Sequence, residues 1–186
     1  QCETAPIEIG NYVWLDSNGD GVQDPCEMPL SGINVTLYDF SGDSITSVQT
    51  DINGAYYFSE NLAAIDSLAK DSMYFIVIGK GGQFDESTTK LVDTLSLTVE
   101  NTGMGNQPTY NDSDGTIANN IDPDFDGFPY TKVTIGNQTD HTYDFGFKPP
   151  VDLLSCECSS SYSLCWDQSG FVEPPSDDLS NFPYSN

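Results

Sequence analysis

Positive charge is the scarcest property of this sequence. Its 186 residues carry 5 Lys+Arg and one His against 29 Asp+Glu, a formal net charge of -24 at pH 7. That balance excludes nucleic acid and anionic membrane surfaces as partners, because both would be repelled. No apolar run is long enough to span a bilayer, so no membrane insertion is expected. No targeting leader is visible. The first residue is Gln1 rather than Met, which reads as a mature chain whose leader has been cut away. Catalytic constellations are missing too. The single histidine, His141, is read onto a strand, and no Gly-x-Ser-x-Gly, HExxH or phosphate-cradling glycine loop accompanies it. No two carboxylates stand out as a hydrolytic pair. The expectation is that the chain is not an enzyme.

Five cysteines are present (Cys2, Cys26, Cys156, Cys158 and Cys165), none of them in a CxxC pair. With an acidic, lysine-poor surface they fit disulfides in an oxidising exterior, and the odd count leaves one thiol free or bonded to another chain. Cys156 and Cys158 are too close in sequence to bond easily to each other. A bond from Cys26 to Cys2 or to a tail cysteine would tie a loop to a chain end, and the pairing stays open.

What is abundant is β-forming sequence. Hydrophobic residues make up 37% of the chain, with ten Tyr and ten Phe, so it is not a mainly disordered one. Eight short runs alternate or are rich in β-branched and aromatic residues: IGNYVWL, INVTLYDF, SITSVQTD, GAYYFS, SMYFIVIG, TLSLTVE, TKVTIG and HTYDFGF. Separated by Gly, Asn and Asp, they predict an all-β sandwich of about seven to eight strands. Asp51-Ile52-Asn53-Gly54 predicts a tight turn and a hairpin between the runs on either side. One short helix is expected over Ser59–Lys70, with Ser59 as cap and Leu62, Ile65 and Leu68 or Ala69 on one face. The β-region ends near Lys148, where Pro149-Pro150 introduces an extension rich in Cys, Ser, Pro and acid. Three parts follow: an arm over 1–6, a sandwich domain over 7–148 and an extension over 149–186.

Acidic residues are placed in short loops with Asn and Gly, a pattern of cation binding rather than of a solvated tail. Asp16–Glu27 reads DSNGDGVQDPCE. It fills every position of a twelve-residue calcium loop: Asp16, Asn18 and Asp20 as side-chain ligands, Gly21 at the sharp turn, Val22 through its carbonyl, then Asp24 and a bidentate Glu27. Magnesium would demand a tighter octahedron, so Ca2+ is the expected ion. A second acidic stretch, YNDSDGTIANNIDPDFDGF, holds Asp112 and Asp114, then Asp122, Asp124 and Asp126. It completes no twelve-residue pattern, yet a connection this long usually has something to order it. One calcium site is expected, with one or two more as candidates.

GNYVWLDSNGDGVQDPCEMPLSGINVTLYD, with TDINGAYYF, the DSDG stretch and the closing TYDFGF, resembles the B-repeat (SdrD B-like) domains of bacterial serine–aspartate-repeat surface proteins, relatives of the collagen-adhesin B-type fold. The resemblance spans roughly Ile7 to Lys148. It implies a Greek-key, transthyretin-like β-sandwich stiffened by calcium in a secreted or cell-surface protein, with ligands in the first loop and in the DSD run. Three features depart from the family: the Ser59–Lys70 insertion, the cysteine-bearing extension, and the lack of a Lys in GNYVWL. The last implies no Lys–Asn crosslink.

Candidate glycosylation sites are Asn34 and Asn137 in sequons, with Asn111 a third, and Ser44, Ser67, Ser72 and Thr94. The latter four resemble the Asp-Ser/Thr-apolar acceptor of O-glycosylated exported proteins in one group of Gram-negative bacteria. The reading that collects these features is a non-enzymatic, calcium-stabilised module of a bacterial surface appendage. Its preferred form is a pilus-like fibre subunit that polymerises through the arm or the extension. The alternatives are a stalk domain of an adhesin with a host or cell-surface ligand, and a carbohydrate- or protein-binding module of a secreted enzyme.

Overall fold

The computed structural model describes residues 6–59, 62, 65, 68–87, 89–91, 94–100, 111–136 and 138–150, with the backbone alone of 157–159 and 162–164. Seven strands of four residues or more form the frame: β1 (Glu8–Leu15), β3 (Asn34–Asp39), β4 (Ser44–Gln49), β5 (Ala55–Ser59), β6 (Met73–Ile78), β11 (Pro129–Thr134) and β12 (Phe145–Lys148). Two-residue pieces complete it: β2 (Met28–Pro29), β7 (Phe84–Asp85), β8 (Lys90–Leu91), β9 (Ser96–Leu97) and β10 (Thr116–Ile117). Each of the eight expected runs contains a strand.

Sheet I runs β2-β1-β12-β9, with β5 also on β1; sheet II runs β10-β11-β6-β3-β4. β7 and β8 form a separate pair, as do β13 (Glu157–Ser159) and β14 (Tyr162–Leu164). The first and last long strands lie side by side in parallel, with Val13 opposite Phe145 and Leu15 opposite Phe147. Every other pairing between strands is antiparallel. Val13, Tyr56, Phe58, Phe145 and Phe147 of sheet I share one core with Val35, Leu37, Ile76, Ile78 and Val133 of sheet II, and all are at most 2% exposed. Both faces of the β3–β6–β11 region are covered. Phe125, fully buried, sits 5.0 Å from Tyr38, 5.3 Å from Phe75 and 6.0 Å from Tyr130, ring centre to ring centre.

Three expectations are corrected. The runs flanking Asp51–Gly54 do not form a hairpin: β4 pairs with β3, and β5 pairs with β1 in the other sheet. The turn itself is tight, with Gly54 N–H donating to the Asp51 carbonyl at 3.0 Å and Asp51 N–H to that of Ala55 at 2.9 Å. Gly54 (φ 79°) lies so close to β1 that a Cβ would meet the Val13 carbonyl at 2.5 Å. Thr50 anchors the other side, its hydroxyl accepting from Ile33 N–H and donating to the Leu30 carbonyl. The chain therefore changes sheets at this corner.

The described residues of 59–70 are not helical: Ser59 ends β5, and Leu62 and Ile65 N–H groups bond three residues back. Ile65 (4% exposed) and Leu68 (2% exposed) do reach the core, and Leu62 packs on it. Burial of the expected apolar positions is real, but single turns deliver them. His141 lies in the loop before β12 rather than on a strand, its Nε2 2.9 Å from Glu8 Oε1 and its ring 4.7 Å from that of Tyr57.

Candidate metal centre

Asp16 follows directly on β1, and its own N–H donates to the Phe147 carbonyl on β12. Though fully buried, its carboxylate is well supplied with donors. Gly19 N–H donates to Oδ1 at 2.6 Å, Gly21 N–H to Oδ2 at 2.8 Å, and the Thr98 hydroxyl also to Oδ2. Gly21 (φ 79°) occupies the left-handed region that the sixth loop position demands. Asn18 Oδ1 accepts from Asp20 N–H, and its amide donates to the carboxylates of Asp20 and Asp24. Val22 N–H donates to Asp20 Oδ1. Glu27 closes the loop, receiving Ser17 N–H at 2.7 Å and Asp24 N–H at 3.1 Å. Burial, and then the charges of Asp16 and Asp24, raise the Glu27 carboxyl above its ordinary range, against the pull of those two N–H groups.

The first acidic loop and the DSD run meet, although ninety residues of sequence separate them. Val22 and Asp112 form an antiparallel bridge, with Gln23 N–H donating to the Asn111 carbonyl at 2.7 Å and Ser113 N–H to that of Gly21 at 2.9 Å. Asp112 is buried, and its Oδ1 has no hydrogen-bond partner among the described residues. Asp114 and Asp144 exchange bonds: Asp114 N–H donates to the Asp144 carbonyl, and Asp144 N–H to Asp114 Oδ2, both at 2.8 Å. Desolvation, reinforced by Asp112 and Asp140, pushes the Asp114 carboxyl up to about 7. Desolvation, with Asp114 and Asp112 adding to it, pushes the Asp144 carboxyl up to about 8 despite the Asn11 amide beside it. Asp144 Oδ1 is likewise buried without a partner. Reading the sequence missed Asp144 and Thr98. An acid between the aromatic residues of TYDFGF was the signal available for Asp144; Thr98 carried none.

Asp122, Asp124 and Asp126 are placed elsewhere. Asp122 Oδ1 accepts from Asp124 N–H and Asp126 Oδ1 from Ile121 N–H, while the Lys80 amine donates to the Asp124 carbonyl. The carboxylates of Asp122 and Asp126 thus fold their own turn. Among the described residues no three His, Cys, Asp or Glu side chains form a ready metal cage. The first loop instead mixes carboxylates with the Asn18 amide oxygen and the Val22 carbonyl, the hard-oxygen set that suits calcium.

Cys26 is exposed and free of a disulfide among the described residues. The side chains of the other four cysteines lie outside them, as do Ser67 and Asn137. Ser44 and Thr94 are exposed and Ser72 is half-buried. Asn34 is engaged at both ends of its amide, by the Lys80 carbonyl and Gln49.

The family model described as SdrD B-like domain matches residues 7–69, a segment that contains β1 to β5 and the whole first loop. Over 56 residues (30% of this chain, 5% of the relative) the sequence is 46% identical to the fibrinogen-binding protein of Staphylococcus epidermidis. Over 64 residues (34% of this chain, 3% of the relative) it is 45% identical to serine-aspartate repeat-containing protein I of Staphylococcus saprophyticus. A longer match, 26% identical over 165 residues, covers 78% of this chain and 2% of Colossin-A of Dictyostelium discoideum. The chain thus spans a small fraction of the relatives it matches.

Proposed function

We propose that this chain is a calcium-clamped rigid module of an extracellular surface protein, a spacer rather than a catalyst. The observation that carries the reading is the docking of the Asp16–Glu27 loop on the Asn111–Ser113 run, beside the buried Asp112 oxygen that has no partner among the described residues. The side chains of Asp16, Asn18, Asp20, Asp24 and Glu27 and the Val22 carbonyl would hold the ion, with Asp112 and Asp114 as candidate ligands from across the bridge. Bound there, calcium supplies neutralisation of a crowded set of carboxylates. The chain's own residues do the positioning. Asp16 ties the loop to β12 through its N–H and to Thr98 through its carboxylate, so ordering the loop also fastens the two parallel strands. Binding to the native form alone raises its stability by mass action.

Melting and limited proteolysis with excess calcium and with EDTA test this. The expected result is a lower melting temperature and rapid cleavage in EDTA; identical curves would sink the calcium reading. Within it, a stalk position is favoured by relatives of which the chain covers only 2–5%. The second arrangement, a self-assembling fibre joined through residues 1–6 or 149–186, draws on the sequence of those segments alone. Negative-stain microscopy separates the two, since filaments that survive reducing agent and fray in EDTA select the fibre. A host or cell-surface ligand is suggested only by the name of the fibrinogen-binding relative. Fibrinogen itself is the first probe, and flat surface-plasmon traces would remove it.

A further inference from the structure

The sequence contains two Asn-Gly pairs, Asn18-Gly19 in the first acidic loop and Asn53-Gly54 at the corner between β4 and β5. Such pairs are open to a spontaneous reaction. The glycine nitrogen attacks the asparagine side-chain carbonyl, ammonia leaves, and water opens the resulting cyclic imide to aspartate or isoaspartate. The reaction is helped by a proton acceptor on the attacking N–H and a donor on the amide oxygen. It also needs water and room for the glycine to turn. Both asparagines are exposed, so access of water does not separate them.

The fold does separate them. Gly19 N–H donates to Asp16 Oδ1 at 2.6 Å, a carboxylate able to take its proton. Asn18 Oδ1 accepts from Asp20 N–H at 3.0 Å, which stabilises the charge that grows on this oxygen as the nitrogen adds. Gly19 also has space, since a Cβ built there would meet Lys148 Cδ at an ordinary 3.6 Å. At the other pair, Gly54 N–H donates to the Asp51 main-chain carbonyl, a far weaker base than a carboxylate. The Gly54 carbonyl accepts from Val13 N–H at 2.9 Å. A Cβ on Gly54 would meet the Val13 carbonyl at 2.5 Å and the Pro29 and Tyr12 side chains at 3.0 Å. That peptide is clamped against β1.

We propose that Asn18 is a self-modifying site of the metal-free loop, converting to aspartate and isoaspartate through a cyclic imide with Gly19 while the fold holds Asn53 unreacted. The bond from Gly19 N to Asn18 Cγ forms as Asp16 takes the N–H proton. The bond from Cγ to the amide nitrogen then breaks, and that nitrogen leaves as ammonia with the proton returned to it. Water adds to either carbonyl of the imide and opens it, with no oxidant or reductant consumed. The product carries an added negative charge at the third position of the loop, and its isoaspartate form has a lengthened main chain there. The reaction belongs to the loop without an ion and does not depend on the calcium reading.

Peptide mapping by mass spectrometry tests the proposal on the full chain aged in EDTA below its melting temperature, beside a second sample aged in denaturant. In the folded sample Asn18 should convert roughly tenfold faster than Asn53 or more, with isoaspartate among the products. In denaturant the two rates should come within a few-fold of each other. Asp16→Asn keeps the shape of the buried side chain without its basicity. With the fold checked by circular dichroism, it should slow Asn18 by a similar factor and leave Asn53 unchanged. Equal rates in the folded chain, the same ratio folded and denatured, or a product free of isoaspartate would each overturn the proposal. So would an Asp16→Asn chain that folds and ages as fast as the parent. If that variant does not fold, the comparison of folded with denatured chain decides alone.

Discussion

Two acidic turns of this molecule look alike in sequence and are held by different forces. Asp16–Glu27 and Asp122–Gly127 are both rich in closely spaced Asp with Gly and Pro, and both fold through carboxylate-to-backbone bonds. The second turn also drives Phe125 into an aromatic cluster, so hydrophobic burial fixes it. The first contains no buried apolar side chain; only Asp16 and Gly21 are fully covered. Its carboxylates find compensation in N–H groups and in the bridge to Asp112, and the proposed cation would complete it. Acid spacing alone does not tell these apart. The residue carried along with the acids does.

The sharpest way to break the contrast is Phe125→Ala. Loss of a buried Phe costs about 3–5 kcal/mol, and the loss, read from denaturant curves, should be equal with calcium and with EDTA. Next comes the ion itself. At a free calcium concentration about a hundredfold above the dissociation constant, stability should rise by about 2.7 kcal/mol, and Asp16→Ala should abolish that increment. If Phe125→Ala erased it instead, the two turns would not be independent.

A smaller effect is expected from pH. Asp114 and Asp144 have folded-state values raised to about 7 and about 8, so the native chain binds more protons than the unfolded one between the ordinary carboxyl range and those values. Stability contributed by the pair is full below the ordinary carboxyl pKa and is lost as pH rises through about 7 to 8. Melts of EDTA-treated protein should therefore fall in temperature from mildly acidic to mildly alkaline buffer, and excess calcium should flatten the trend. The smallest effect is Asp126→Ala, which removes the acceptor of Ile121 N–H for about 1 kcal/mol. Its calcium response should be unchanged.

Much of this was legible in the sequence because it is local. β-branched and aromatic runs located all eight strand segments, and DSNGDGVQDPCE foretold the sharp turn that Gly21 makes at φ 79°. Non-local features were not legible. Asp51–Gly54 is a tight turn, but turn chemistry does not say whether the flanking strands stay in one sheet, and here the close approach of Gly54 to Val13 sends them apart. Leu62, Ile65 and Leu68 are inward as helical spacing suggested, yet single turns suffice to seat them. Asp144 acquires its raised carboxyl from burial first and then from Asp114 and Asp112, which only the folded topology brings beside it.

The parallel pairing of β1 with β12 also decides how the module occupies space. Because both strands run the same way, β1 begins at one pole of the sandwich and β12 ends at the other. Tension between the ends then falls on the Val13–Phe145, Trp14–Gly146 and Leu15–Phe147 rungs together, and they must slide past one another as a group instead of opening one at a time.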